Sequence, residues 1–183
     1  SLAPLPDGRL FAVMRSSIGG PCWSVSGDAG VTWSAPRRLL YSDGGAPLKH
    51  PLSPCPMYGV APGEYVLFVH NHAVMGQLRC GADHRRPICM VHGQYRAGAD
   101  QPVWFSQPRV CMDSHGIQIG HPDGGCNAGM SLYSSLTQRQ GRTVLWYPER
   151  KFFLLGRAIT AEMLSALPVP LAAESAATPR ANP

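Results

Sequence analysis

Short apolar runs recur along the chain, and glycine, proline and aspartate cut them apart. Leu10-Phe11-Ala12-Val13-Met14 follows Pro6-Asp7-Gly8, Tyr65-Val66-Leu67-Phe68-Val69-His70 follows Pro62-Gly63-Glu64, and Thr143-Val144-Leu145-Trp146-Tyr147 follows Gln140-Gly141-Arg142. Runs of this length, rich in branched and aromatic residues and bounded by turn formers, predict strands. In each case an earlier strand-like stretch precedes the turn, so the pattern strand, tight turn, apolar strand occurs three times. Further strands are predicted at 22–26, 88–91 and 151–160. Helical spacing is confined to Ala161-Glu162-Met163-Leu164-Ser165-Ala166-Leu167, room for a turn or two. From Pro168 the chain is Ala, Pro and Ser with Arg180, a composition that predicts a disordered tail. The expected fold class is therefore all-β, with residues 1–160 as one β-rich unit and 161–183 as a short helical turn and tail.

One octet stands apart, Ser26-Gly27-Asp28-Ala29-Gly30-Val31-Thr32-Trp33, which reads S-x-D-x-G-x-x-W. Gly reaches positive φ cheaply, and an Asp side chain accepts hydrogen bonds from backbone N–H groups just ahead of it, so the octet predicts a tight reversal. Thr32 and Trp33 are expected to resume extended structure, with the indole folded back over the loop. The octet is a clasp for a hairpin and carries no catalytic chemistry.

These residues resemble the Asp-box of the sialidase (neuraminidase) superfamily, also known as the BNR repeat, in which Ser26, Asp28, Gly30 and Trp33 would be the structural positions. The resemblance implies a β-propeller of four-stranded antiparallel blades, six in the whole propeller, with the box on the outer turn of a blade. Blades take roughly 40–50 residues each, so 183 residues would hold about three, an incomplete C-terminal portion. Several other positions match the family in order. Arg15 ends the strand before the Asp-box, where a substrate-binding arginine is implied. Arg85 or Arg86 precedes Ile88-Cys89-Met90-Val91, where a second is implied; alternation sends neighbours to opposite faces, so both stay open. Tyr133-Ser134-Ser135-Leu136 resembles the segment that carries the nucleophile, making Tyr133 the implied catalytic residue, and Glu149 would orient an arginine. A glutamate that activates the tyrosine falls, by this pattern, just ahead of Ser1, with the acid Asp and the first arginine further upstream. Gly98-Ala99-Asp100-Gln101-Pro102-Val103-Trp104 preserves only the Asp and Trp of a second box. Asn71 and His72 end their strand as Arg15 ends its own, and read as loop caps or substrate contacts.

The chemistry suits the residue types. A sugar with a carboxylate at its reacting carbon repels a carboxylate nucleophile, and sialidases use a neutral phenol with a carboxylate base instead. A guanidinium pairs bidentately with the sugar carboxylate and keeps its charge. The resemblance thus implies a retaining exo-α-sialidase-like glycoside hydrolase that acts on terminal sialic acid, with this portion alone inactive. A glycan-binding propeller without hydrolysis, a propeller hydrolase for another sugar, and an interaction propeller without a sugar site remain as alternatives.

Charge agrees with an anionic partner such as a sialylated glycan: the net charge is +5, with sixteen Lys and Arg dispersed along the chain. No basic block points to nucleic acid, and no run has the length of a membrane span. The six cysteines form no C-x-x-C pair, so neither a metal nor another cofactor is expected. Cys55 and Cys89 sit in or beside apolar strands and read as buried thiols. Nothing here decides the compartment.

Overall fold

The computed structural model describes residues 1–72, 85–113, 133–149 and 153–172, and builds them into three antiparallel sheets. The first contains β1 (Leu2–Pro4), β2 (Leu10–Met14), β3 (Cys22–Ser26) and β4 (Arg37–Arg38), in that order. Period-two alternation puts Phe11 and Val13 on one face, opposite Val25 and Trp23 in register. The Phe11 and Trp23 rings lie 5.7 Å apart, and both are buried.

The octet after β3 forms the reversal the sequence predicts. Asp28 accepts from the Ser26 hydroxyl at 2.7 Å, the Thr32 amide at 2.8 Å and the Thr32 hydroxyl at 2.5 Å. Ser26 Oγ accepts the Gly30 amide at 2.8 Å, and Trp33 Nε1 donates to the Gly30 carbonyl at 3.1 Å. Gly30 holds φ +92°, a region other residues adopt at a cost. The expectation that extended structure resumes at Thr32 is corrected, since β4 begins only at Arg37. Thr32 is tied back to Asp28. Beyond it, Ser34 pairs with Val25 partly through its own hydroxyl, which accepts the Val25 amide at 3.1 Å, and Pro36 has no N–H to donate.

The second sheet runs β5 (Met57–Ala61), β6 (Glu64–Val69), β7 (Ile88–Tyr95) and β8 (Val103–Phe105), with β9 (Arg109–Met112) also on β7. β8 pairs with Gly93–Tyr95 and β9 with Ile88–Met90, so the two share one edge of β7. They amount to a fourth strand broken at Ser106, whose amide donates to the His92 carbonyl at 2.8 Å. Asp100 clasps no turn of its own. It pairs with Arg37 of the first sheet, while Asp43 accepts its backbone amide.

The third sheet is β10 (Ser135–Arg139), β11 (Arg142–Glu149) and β12 (Phe153–Ile159), followed by α1 (Ala161–Ser165) with Thr160 as its N-cap. The middle sheet is packed on both faces. Tyr65, Leu67 and Val69 of β6 join a core with Phe11, Val13 and Trp23, whereas Val66 and Phe68 join a second core with Leu145, Tyr147 and Ile159. Strict alternation along one strand thus serves two interfaces.

The tail also departs from expectation over the residues described. Leu167 and Val169 are buried, and Arg96 Nη2 donates to the Pro170 carbonyl at 2.7 Å, so 167–170 dock on the second sheet. Two buried apolar side chains and this hydrogen bond hold it there, which composition alone does not register. The remaining tail, residues 173–183, lies outside the described residues, as do the Gly-rich residues 123–129.

Candidate functional site

A groove of about 670 Å³ opens where the three sheets meet. The end of β2 supplies Val13, Met14 and Arg15, the approach to β5 supplies Pro54, Cys55 and Pro56, and Tyr133 and Ser134 enter just before β10. Ser1 and Tyr58 complete the wall. Two of the candidate residues read from sequence, Arg15 and Tyr133, therefore line one concavity although different sheets deliver them.

The delivery has local causes. Arg15 follows the last ladder residue of β2, Met14, and its charged side chain stands exposed beyond the apolar run. Tyr133 is 60 % exposed. Its segment is pinned by Tyr58, whose hydroxyl donates to the Ser134 carbonyl at 2.6 Å and lies 3.0 Å from Ser134 Oγ. Burial raises the Tyr58 phenol and the bond to Ser134 works against it, so Tyr58 stays protonated and structural. Cys55 is buried in the wall, and desolvation pushes its thiol up to about 11. It is an inert thiol. No Asp or Glu occurs among the described lining residues.

Behind Pro54 stands a histidine stack. His50 and His70 lie parallel at 5.3 Å, and His72 follows at 6.2 Å. The His70 amide donates to His50 Nδ1 at 3.0 Å, which places the His50 proton on Nε2, facing the carbonyls of Ser53 (3.0 Å) and Pro54 (3.2 Å). His70 turns Nδ1 to the Pro87 carbonyl at 3.1 Å. Burial pushes His50 down to about 4 and His70 down to about 3, so both are neutral. The charge of Arg85 contributes to both shifts, which puts this arginine beside the stack.

Arg85 and Arg86 are half-buried ahead of Pro87 and β7, and neither belongs to the groove wall. Glu149 ends β11 on the same face as Leu145 and Tyr147, 7 % exposed and away from the wall. Asn71, at φ +52°, and His72 continue from the stack and do not line the groove. Ser26, Asp28, Gly30 and Trp33 sit at the opposite end of the β2–β3 hairpin from Arg15, since Leu10 pairs with Ser26 and Met14 with Cys22. Four residues of strand separate them, roughly 13 Å.

Sequence reasoning did not single out Tyr58 or the His50–His70 stack. Tyr58 alternates with Met57 like any strand residue, and His50 lies in a loop whose partner is twenty positions away, so neither carries a local signal. Among the described residues no group of His, Cys, Asp and Glu could hold a metal ion. No protein-family model matches the chain, and no curated protein matches it significantly.

Proposed function

We propose that the chain is part of a sialidase-like propeller and that the groove binds the carboxylate of a terminal sialic acid through Arg15, with Tyr133 as the nucleophile of a retaining exo-hydrolase. The convergence of Arg15 and Tyr133 on one groove is the observation that carries this reading. The face-to-face stacking of three antiparallel sheets, with the Asp-box far from the groove, agrees with it.

A phenol with a reference pKa near 10 needs a carboxylate to take its proton at neutral pH. The described lining offers none, so the reading assigns that base to the glutamate that the family pattern implies. The 183-residue chain then binds sialic acid without hydrolysing an aryl sialoside. A chain extended upstream to include the glutamate, the acid Asp and the first arginine hydrolyses it, and Tyr133→Phe in that chain loses several orders of magnitude in kcat. Full activity in the 183-residue chain, or indifference of the extended chain to Tyr133→Phe, overturns the assignment.

The lack of a carboxylate among the described lining residues favours a second reading, a glycan-binding propeller without hydrolysis. It predicts that the extended chain binds sialosides, that Arg15→Ala abolishes the binding, and that no turnover occurs.

A further inference from the structure

A second cavity, of about 380 Å³, lies between the second and third sheets under α1, away from the groove. Met90 of β7 faces the third sheet, and Arg109 of β9 is its partner in register, so both point into the gap. From the other side, Arg157 of β12 pairs with Leu145, whose face looks back at the second sheet. Two arginines from facing strands therefore line one cavity at its exposed rim, and Arg157 stands close enough to the Cys111 thiol for its charge to oppose the upward push of burial there.

Neither arginine is paired with a carboxylate among the described residues. Glu162, a carboxylate lining the same cavity, offsets one of the two positive charges, which leaves room for one further negative charge. Met90, Met163 and Leu167 line the rest of the space with apolar surface, and Glu162 stands at the first turn of α1. A binding site of this size needs an apolar body and a few convergent polar groups. Both are present.

We propose that this cavity binds a small organic carboxylate with an apolar body, its anionic head between Arg109 and Arg157 and its body against Met90, Met163 and Leu167. The paired guanidiniums supply charge-assisted hydrogen bonds in the fork geometry that matches a carboxylate. Glu162 disfavours a second negative charge on the ligand, which selects a monoanion.

Calorimetric titration of the 183-residue chain with isovalerate and with inorganic phosphate tests the site. Isovalerate is expected to bind saturably and more tightly than phosphate. Arg109→Met or Arg157→Met should weaken it by at least about tenfold, the loss expected for one charge-assisted hydrogen bond, while Arg38→Ala, in the first sheet and outside both cavities, leaves it unchanged. In the unmodified chain, saturating isovalerate should slow alkylation of Cys111 by iodoacetamide, read on the Cys111 peptide by mass spectrometry; this arm needs no variant to fold. The site is overturned if isovalerate shows no saturation, if phosphate binds as tightly, if Arg38→Ala weakens the binding as much as Arg109→Met, or if Cys111 is not protected.

Discussion

Asp28 shows how much a single side chain organises. Hydrogen bonds from the Thr32 hydroxyl, the Thr32 amide and Ser26 hold its carboxyl down to about 2, against an ordinary value of 3.8. A folded-state pKa below the unfolded one means that the contribution is complete above about pH 4 and is lost as pH falls through about 2. Asp28→Asn should therefore lower the melting temperature at pH 7, with the gap to the unsubstituted chain closing as pH approaches 2 in a thermal melt series. The histidines shift the same way for a different reason. His50 at about 4 and His70 at about 3, both depressed by burial from 6.5, stay neutral when folded. Stability from this pair is present in full above about pH 6.5 and is lost as pH falls toward 4 and below. Urea unfolding at pH 7 and pH 5 should show the loss, and His70→Gln should show a smaller one. Tyr58→Phe removes the bond to the Ser134 carbonyl and should cost about 0.5–1.5 kcal/mol, while loosening Tyr133 in the groove.

Among the elements, β6 is the one on which most depends. Its odd positions serve the interface with the first sheet and its even positions the interface with the third, so every residue from Tyr65 to Val69 is buried. Phe68→Ala should destabilise the protein by about 3–5 kcal/mol, the range for deleting a fully buried ring, as measured by urea denaturation. The fourth strand of the middle sheet is the weaker partner. Its break at Ser106 lets the chain leave β7 and rejoin it, and Pro102 and Pro108 flank the pieces. A strand interrupted in this way has too few apolar residues in a row to announce itself, which is why β9 has no counterpart among the predicted strands.

For the whole molecule, three sheets stacked in chain order leave, among the described residues, only the middle one covered on both faces. Amides of β6 and β7 should therefore exchange most slowly in native-state hydrogen exchange, with β4 and β12 among the fastest, because burial and paired neighbours set local stability. Faster exchange in β6 than in β12 would contradict the stacking. Trp146 and Leu154 share the outer face of the third sheet and remain exposed at 38 % and 71 %.

What the sequence by itself determined is local. Alternating apolar runs and Gly-bounded turns dictated the strands, because a strand's side-chain period is written in adjacent residues. The octet dictated its own clasp, because Ser26, Asp28, Thr32 and Trp33 all bond within eight positions. The resemblance also singled out Arg15 and Tyr133. Only the tertiary structure decided that these two meet, that Tyr58 holds the tyrosine's segment, that Arg85 stands beside a histidine stack, and that Glu149 is buried at the end of β11. Each of those depends on residues brought together across sheets, and such contacts follow from how faces pack, which no window of neighbouring residues contains.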